Sequence, residues 1–385
     1  MNVLHVMPSL ARAYGGPTQS LLGFLRASAA AGIRTDVVAP HASAEDVEWV
    51  RRQLPEATGL LTFPAAGPGH MKLAPALLRH VHRVARRYDA VHVHGVFNLV
   101  SDLGARAALA AGTPLVVRPF GTLSRYTFEY RRGWAKRIYY RVLEGPTLRR
   151  AAVVHFTTET EREEADRPGM DLGPKGIVVP PPWSGPLPPS RKVRAGASTV
   201  LLLSRLHPVK AVEALIDAWP LVAAERPGMR LVIAGDGPPE YVNRLRERVL
   251  HSPRGPYDIR FPGFVNGEAK AQILADADLF VLPSYHENFG IAVLEALAAG
   301  LPVVISPDVQ LASFVAEHGL GRVSAREPRE LATNVLEALA DDALRQRCAL
   351  EGAAIIQRVF SPAAVGVKLR ELYRVAATRA GASSI

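Results

Sequence analysis

Short apolar runs recur along this chain at intervals that leave room for a helix between most of them. They lie at residues 3–7, 36–39, 90–93, 115–118, 153–156, 177–179, 200–203, 231–234, 279–282 and 303–305. Most of the intervening segments carry helical patterns, such as Val212, Leu215, Ile216 and Trp219 at positions i, i+3, i+4 and i+7. Strands that alternate with helices predict parallel sheets with helices on both faces. The fold class we predict is therefore α/β.

A proline-rich stretch interrupts this series after the sixth run. Residues 180–189 contain six prolines, a composition typical of a stiff connector. We predict one doubly wound domain at residues 1–182 and a second at residues 190–361, with 180–189 as the linker. Both halves are of ordinary domain size.

Composition limits the class of protein and the location that we expect. Lys and Arg exceed Asp and Glu by 10, which predicts an acidic partner: a phosphate-bearing ligand, an anionic membrane face or nucleic acid. No apolar run reaches the length of about 18 residues that a transmembrane helix needs, and residues 3–7 read as a core strand, not as a signal peptide. The only cysteine, Cys348, fits a reducing compartment. We expect a cytoplasmic protein.

Two carboxylates distinguish the stretch at residues 283–302, which follows the run at 279–282. Glu287 lies in a polar loop, and Glu295 lies on an otherwise apolar helix, where it must reach solvent or a hydrogen-bonding partner. Backbone N–H groups just before this helix favour an anion. Two carboxylates on one loop and helix fit ligand binding better than the acid/base pair of a glycosidase, which flanks the scissile bond.

Two further stretches follow strands and suit a phosphate ligand. Arg205 and Lys210 come directly after the run at 200–203, where a guanidinium and an ammonium can neutralise a diphosphate, although solvated surface charges are the alternative. Gly15 and Gly16 follow the first run and open a helix. Glycines there let the backbone approach a ligand, although a plain turn is the alternative.

Taken together, these motifs resemble a known family. The spacing from Glu287 to Glu295 resembles the E-x7-E motif of the GT4-type retaining glycosyltransferases, the glycosyl transferases group 1 family. The glycine pair, the two cations and residues 231–237 and 261–265 fit the same family in the same order. The resemblance implies a GT-B fold, in which two Rossmann-like doubly wound domains face each other across a cleft. It also implies that the last helix, within residues 362–385, crosses back to the first domain.

The resemblance implies a role in donor binding or catalysis for each of the motif residues. Glu287 would act in catalysis by contacting the hydroxyls of the donor sugar, and Glu295 would hold the ribose of the nucleotide. The junction of loop and helix would meet the sugar and diphosphate, at Asn288, Phe289, Gly290 and Ile291. The remaining donor contacts would come from Arg205 and Lys210 on the diphosphate, from Gly15 and Gly16 beside it, and from Val265 at the nucleobase.

Two histidines stand out in the first half. His92 and His94 lie on one face of a strand, as a metal-binding pair would, but a third ligand is not evident. The resemblance places His94 beside the donor sugar, so we predict that it orients the sugar as a catalytic residue and that His92 is structural. Phe120 stands where many members of the family have a histidine, which leaves Arg118 as a residue that could face the cleft.

We predict that the protein needs neither a cofactor nor a metal ion. Asp276 and Asp278 have the D-x-D form of metal-dependent glycosyltransferases of another fold, but they lie at the end of a helix and read as a turn. On this interpretation Arg205, Lys210 and the helix dipoles supply the positive charge.

Aromatic and basic residues interleave in residues 125–150. This pattern predicts docking on an anionic membrane surface. The alternatives are nucleic-acid binding and a helix that packs its aromatics inward and its cations outward.

The function that we predict is retaining transfer of a sugar from a UDP- or GDP-sugar to a hydroxyl of a glycan or a lipid-linked acceptor. Such a transfer would serve polysaccharide or glycoconjugate synthesis at the inner face of a membrane. A GT-B epimerase or phosphorylase is the alternative among enzymes. A nucleic-acid-binding protein is disfavoured because no such module is recognisable, and the intact carboxylate pair argues against a non-catalytic sugar-nucleotide-binding subunit.

Overall fold

The computed structural model describes residues 1–12, 16–67, 69–124, 133–167, 169–183, 185, 199–252 and 257–382. Gly15, half of the predicted linker (residues 184 and 186–189) and residues 125–132 of the predicted membrane segment lie outside the described residues. The chain divides into two compact units, Met1–Ser184 with Val359–Ile385 and Gly185–Arg358.

The first unit is built on a seven-stranded parallel sheet of order β3-β2-β1-β4-β5-β6-β7. Its strands are β1 Asn2–Val6, β2 Arg34–Pro40, β3 Gly59–Phe63, β4 Ala90–His94, β5 Leu115–Arg118, β6 Val153–Phe156 and β7 Gly176–Val178. Its helices are Gly16–Ala30, Ala44–Arg51, Pro75–Val84, Leu99–Ala110, Gly133–Tyr139, the π-helix Tyr140–Glu144, Gly145–Arg150, Glu159–Glu164 and Pro362–Ala382.

The second unit is built on a six-stranded parallel sheet of order β10-β9-β8-β11-β12-β13. Its strands are β8 Thr199–Leu203, β9 Arg230–Ala234, β10 Asp258–Gly263, β11 Leu279–Leu282, β12 Val303–Ile305 and β13 Gly321–Val323. Its helices are Val212–Glu225, Pro239–Leu250, Gly267–Asp276, Ile291–Ala298, Ala312–Glu317, Pro328–Ala340 and Asp342–Phe360, the last of which ends just beyond the unit.

Both sheets have the Rossmann strand order, which confirms the predicted α/β class. All ten predicted runs are strands, to within one or two residues at their ends. Three strands were missed: β3, β10 and β13. Each lies at the edge of its sheet and is at most half-buried, so its sequence is not a continuous apolar run.

The helix Pro362–Ala382 completes the first unit, although it comes last in the chain. It packs against the helix Gly16–Ala30 so closely that a Cβ at Gly366 would lie 2.4 Å from the carbonyl oxygen of Ala27. Its buried side chains, including Leu369 and Tyr373, join the core that covers one face of the first sheet. No helix among the described residues is long and apolar enough to span a bilayer.

The strand order of each sheet reverses at its centre, between β1 and β4 in the first unit and between β8 and β11 in the second. In sheets of this kind, ligands bind beyond the carboxyl ends of the strands at the point of reversal. In the second unit these ends lead into the loops that carry Arg205 and Glu287. The topology alone therefore brings two of the predicted site residues to one place.

Candidate active site

The loops after β8 and β11 are joined in the second unit by a backbone hydrogen bond and an ion pair. The N–H of Tyr285 donates to the carbonyl of Val209 at 2.8 Å. Beside it, the ammonium of Lys210 pairs with the carboxylate of Glu287, and these side chains are only 12% and 21% exposed. The sequence placed both residues at the site but did not reveal that they contact each other.

The backbone of Glu287 is fixed by the segment that follows β12. Its N–H donates to the carbonyl of Asp308, and its carbonyl accepts from the N–H of Gln310, both at 3.1 Å. Asp308 in turn pairs with Arg326, whose guanidinium lies 4.6 Å from the centre of the Tyr285 ring. The carboxylate of Glu287 is therefore presented from a rigid loop.

Gly290 turns this loop into the helix Ile291–Ala298. Its φ of 84° lies in the left-handed region, and a Cβ there would lie 3.4 Å from Cγ of Glu287. The N–H of Val293 donates to the carbonyl of Gly290 at 2.9 Å, whereas those of Ile291 and Ala292 make no hydrogen bond to a described residue. The helix therefore begins with a positive dipole end. Phe289 is buried, and the buried side-chain oxygen of Asn288 has no partner among the described residues.

Glu295 has a specific partner that the sequence did not reveal. It lies in the second turn of the helix Ile291–Ala298, where the ammonium of Lys270, on the helix Gly267–Asp276, approaches its Oε1 at 2.6 Å. The Glu295 side chain is 21% exposed. One carboxylate oxygen is thus bound by Lys270 and the other makes no hydrogen bond to a described residue.

Arg205 is exposed, and its guanidinium forms no ion pair with a described residue. Its loop is supported by the turn after β9: the N–H of Leu206 donates to the carbonyl of Asp236 at 2.8 Å. Gly235 and Gly237 allow this packing, because Cβ atoms there would lie 1.8 and 2.0 Å from carbonyl oxygens of the Arg205 loop. The Arg205 loop is thus held in place while its side chain stays exposed.

Val265 follows β10 and is half-buried, next to Phe264, which is 73% exposed. The loop they share is tied to the preceding turn, since the N–H of Gly235 donates to the carbonyl of Gly263 at 2.8 Å. The predicted nucleobase contact therefore lies in a loop connected to the one that carries Arg205.

The D-x-D residues have the structural setting that was predicted for them. Asp276 is the last residue of its helix. The buried carboxylate of Asp278 accepts a hydrogen bond from the N–H of Thr199 at 3.1 Å, which fastens the start of β8.

Gly16 is the first residue of its helix in the first unit. A Cβ at this position would meet no described atom within 4 Å, whereas one at Gly23 would touch Pro182 at 3.1 Å. Packing against the described residues therefore does not require a glycine at position 16. Its approach to a ligand stays a prediction.

His94 ends β4, but its side chain is completely buried, which was not expected of a residue that orients a substrate. Its Nε2 lies 2.8 Å from Nδ1 of His5, and its ring stacks on His92 at 4.3 Å between centroids. A role for His94 at the sugar stays a prediction. Sequence reasoning also missed His5, whose partnership with β4 depends on strand register.

A directed chain of hydrogen bonds crosses the same sheet face. Nε2 of His155 donates to the carbonyl of Val179 at 2.7 Å, so its Nδ1 must accept from Nε2 of His92, which lies 3.3 Å away. Nδ1 of His92 then accepts from the hydroxyl of Tyr373 at 2.8 Å. Burial lowers the pKa of His5 and of His155 to about 3, so these rings are neutral. We call His5, His92, His94 and His155 the histidine seam.

Arg118 lies beside the seam and is buried, so the prediction that it could face a cleft is wrong. Its guanidinium is stacked between the rings of Phe24 and Phe120, at 4.3 and 4.4 Å, and Nη2 donates to the hydroxyl of Ser20 at 2.7 Å. Burial lowers the pKa of Arg118 to about 9. Phe120 therefore covers a buried cation.

Ring nitrogens of His5, His92 and His94 lie within 4.8 Å of one another, close enough to share a metal ion. The setting does not fit one. The positive charge of Arg118 helps to lower the pKa of all three rings, and it would repel a cation in the same way. Both nitrogens of His92 are also engaged in the hydrogen-bonded chain.

Two family profiles match the chain and together cover most of it. The profile described as glycosyl transferase 4-like domain matches residues 15–183, and that described as glycosyl transferases group 1 matches residues 197–341. The chain belongs to the glycosyl transferases group 1 family. This membership confirms the resemblance drawn from the Glu287 and Glu295 motif.

Curated relatives of this group 1 chain match over part of their length. D-inositol 3-phosphate glycosyltransferase of Thermobispora bispora is 30% identical over 244 residues, which is 60% of this chain and 55% of the relative. Phosphatidyl-myo-inositol mannosyltransferase of Mycobacterium leprae is 31% identical over 47% of each chain. The matched regions thus span about half the length of these relatives.

Solved structures match the whole group 1 chain in fold. HepE from Anabaena, in complex with UDP and glucose, has a TM-score of 0.71 at 22% identity and covers 96% of this chain and 98% of its own. The galactosyltransferase WaaB has a TM-score of 0.66 at 15% identity and covers 97% of this chain and 99% of its own. The predicted GT-B fold is confirmed.

Proposed function

We propose that the protein is a retaining glycosyltransferase that moves a sugar from a UDP- or GDP-sugar to a hydroxyl of a glycan or a lipid-linked acceptor. The observation that carries the proposal is the pairing of Lys210 with Glu287 where β8 and β11 end, with the exposed Arg205 on the same loop as Lys210. Positive charge and a carboxylate on adjoining rigid loops match the two halves of a sugar diphosphate.

In the proposed reaction the bond between the anomeric carbon and the diphosphate oxygen breaks. The acceptor oxygen bonds to the same face of that carbon, and the acceptor proton passes to the departing diphosphate. Negative charge grows on the diphosphate as the bond breaks, and fixed positive groups there stabilise the transition state. Arg205 can donate a planar fork to two oxygens, Lys210 adds a point charge, and the helix dipole at Gly290 adds to both.

The two carboxylates would orient the donor by accepting hydrogen bonds from its hydroxyls. Glu287 would exchange Lys210 for sugar hydroxyls as the lysine turns to the diphosphate. Glu295 needs no such exchange, because Lys270 engages Oε1 and leaves the other oxygen for the ribose. The two acids would therefore bind opposite ends of one nucleotide sugar.

We propose that transfer needs no metal ion, because Arg205 and Lys210 supply the charge that a metal would otherwise bring. A chelator should then leave the rate of transfer unchanged. A rate that falls with the chelator and recovers on adding a divalent ion would contradict this part of the proposal.

The relatives support the choice of substrates. HepE has been seen with UDP and glucose, and two of the relatives are named for transfer to an inositol phosphate or a phosphatidylinositol. Hydroxyl-bearing acceptors that carry a phosphate or a lipid therefore come first in a screen. A peripheral position at a membrane follows if the acceptor is lipid-linked.

Thermal unfolding with UDP, GDP and ADP tests the donor site directly, since a ligand of the folded chain raises the melting temperature. We expect UDP or GDP to do so and the corresponding sugar nucleotide to support transfer with retention at the anomeric carbon. Failure of both UDP and GDP to bind would refute the proposed donor, and failure of all three nucleotides would refute the proposal as a whole. Release of an epimerised free sugar or of a sugar phosphate would identify an epimerase or a phosphorylase instead.

A further inference from the structure

Three large apolar side chains project from one face of the helical segment at residues 133–150. Trp134, Ile138 and Val142 are 72%, 58% and 62% exposed. Trp134 and Ile138 are four residues apart on an α-helix, so they lie above one another on its surface. Val142 is four residues further on, in the π-helix that continues it, and the three side chains span about 12 Å. We call these three residues the apolar ridge.

The ridge is not a sign of a poorly packed helix, because the opposite face is firmly anchored. The buried carboxylate of Glu144 accepts from the N–H of Phe97 at 2.7 Å, and Arg106 donates to the carbonyl of Leu143 at 3.0 Å. Tyr140 and Leu148 are buried. The prediction that the aromatics pack inward is thus right for Tyr140 and wrong for Trp134.

Every exposed charge on this segment is positive. Arg137 and Arg141 flank the ridge, and Arg149 and Arg150 lie at the end of the segment, all of them exposed. The only acidic residue between 133 and 150, Glu144, is buried. The chain therefore presents an apolar ridge with a cationic border.

We propose that the apolar ridge docks this protein on a bilayer that contains anionic lipids. A helix with tryptophan and aliphatic residues on one side and arginines beside them suits the boundary between headgroups and acyl chains. A nucleic acid would use the arginines but not the aliphatic residues. A stable protein partner needs about 800 Å² on each side, far more than three side chains on one helix supply.

Docking on a membrane rests on the proposed function for its biological role, because a glycosyltransferase held at a membrane surface is suited to a lipid-linked acceptor. Binding to a bilayer needs no donor, however. It can be measured whether or not the chain transfers a sugar, so failure of one proposal is distinguishable from failure of the other.

The test is sedimentation of the full chain with phosphatidylcholine vesicles that contain or lack phosphatidylglycerol. We expect binding only with phosphatidylglycerol, weakened by added salt. The substitutions Trp134→Ser, Ile138→Ser and Val142→Ser together should reduce the partition coefficient by about tenfold or more. Arg137→Glu with Arg141→Glu should abolish binding, since the introduced carboxylates are repelled by the anionic lipid.

The matched control is Leu250→Ser with Leu350→Ser, which removes apolar side chains that are 81% and 77% exposed in the second unit. It should leave vesicle binding unchanged. Melting temperatures of all variants establish that they are folded.

Tryptophan fluorescence gives an independent readout. Of the other three tryptophans, Trp183 and Trp219 are buried and Trp49 is half-buried. A blue shift on adding anionic vesicles, together with quenching by brominated lipid, should therefore come from Trp134 and vanish in Trp134→Phe, whereas Trp49→Phe should leave both signals in place.

Three outcomes would overturn the proposal: no binding to anionic vesicles, binding that survives the triple substitution, or a dimer in solution that the triple substitution dissociates. The last outcome would assign the ridge to a second copy of the chain.

Discussion

The two sheets share a strand order, but the polar residues at their carboxyl ends differ in burial and charge. In the second unit, Lys210 and Glu287 meet in loops beyond the strands and keep contact with solvent. In the first unit, His5, His94 and Arg118 lie in the last residues of β1, β4 and β5 and are buried under helices. One group of residues is charged and accessible, and the other is mostly neutral and enclosed.

The contrast shows that topology determines where polar residues meet, whereas their charge and exposure determine whether a ligand can bind there. Parallel sheets of this order bring polar residues together at the point of reversal in both units. A ligand can replace a partner only where that partner keeps some contact with solvent, as Lys210 does beside Glu287. Most ring nitrogens of the histidine seam have partners within the first unit, and His92 there bonds to Tyr373 of the last helix. Nε2 of His5 and Nδ1 of His94 are buried and have no partner among the described residues.

The largest expected effect is that of Glu287→Ala on transfer. Removing the carboxylate should lower kcat by about a thousandfold, because no other described residue can replace it at the donor sugar. The measurement is the steady-state rate with the donor that the nucleotide screen identifies. Glu268→Ala, at an exposed helical position, is the control. If Glu287→Ala kept a tenth of the activity, the carboxylate of the second unit would not be the group on which transfer depends, and the contrast between the two units would not hold.

Arg205→Ala should weaken binding of UDP or GDP by about ten- to a hundredfold, the value of a hydrogen bond to a charged group. Isothermal titration would measure it. The affinity of Arg205→Lys should lie between those of the unsubstituted chain and Arg205→Ala, because an ammonium keeps the positive charge but cannot donate two parallel hydrogen bonds as a guanidinium does. Exposed Arg329→Ala is the control, and an equal loss there would mean that only overall charge matters.

The histidine seam should make the folded chain sensitive to acid. Because the pKa of His5 and of His155 is about 3 in the folded chain and near 6.5 in the unfolded chain, the unfolded chain binds more protons below pH 6.5. Stability should therefore fall as the pH falls from about 6.5 towards 3, by up to roughly 1.4 kcal/mol per pH unit for each ring.

The substitution that tests this dependence is His5→Phe, followed by chemical denaturation between pH 7 and 5. His5→Phe should reduce the number of protons taken up on unfolding by one, so the free energy of unfolding should fall less steeply as the pH falls. Tyr373→Phe should lower the free energy of unfolding by the same amount at every pH. Equal slopes for His5→Phe and the unsubstituted chain would show that His5 takes up its proton without unfolding.

The smallest effect should come from Lys270→Met. Its ion pair with Glu295 is partly exposed, so nucleotide affinity should fall by less than about fivefold, and Lys270→Arg should restore it. If Lys270 acts by positioning Glu295 at the ribose, the loss should disappear with a 2′,3′-dideoxynucleoside diphosphate. A loss that persists with that ligand would mean that Lys270 does not act through the ribose.

The interior of both sheets could be predicted from the sequence, and their edges mostly could not. Strands such as β4 and β11 are buried on both faces, so they appear as continuous apolar runs. β10 alternates between exposed and half-buried residues, and Gly263 and Pro262 interrupt it. Without the burial that selects apolar residues, nothing in its sequence distinguished it from a loop.

The candidate site was predictable where a residue acts through its position in the chain and not where it acts through a neighbour in space. Arg205 and Glu287 directly follow strands, and their loops are adjacent for topological reasons. Lys270 is 25 residues from Glu295, and its helix carries no sign of that contact. His5 meets His92 through strand register, which sequence alone does not determine.

The first unit is assembled from two distant pieces of the chain, with the whole second unit between them. During synthesis the second unit can bury its core as soon as residue 358 is available. The first unit cannot, because Tyr373 and Leu369 complete its sheet face only at the end. Part of the first unit's core, including Val3 and Phe24, therefore lacks its covering helix until residues 362–382 have been synthesised. The unit whose synthesis begins first is therefore the one whose sequence becomes available for folding last.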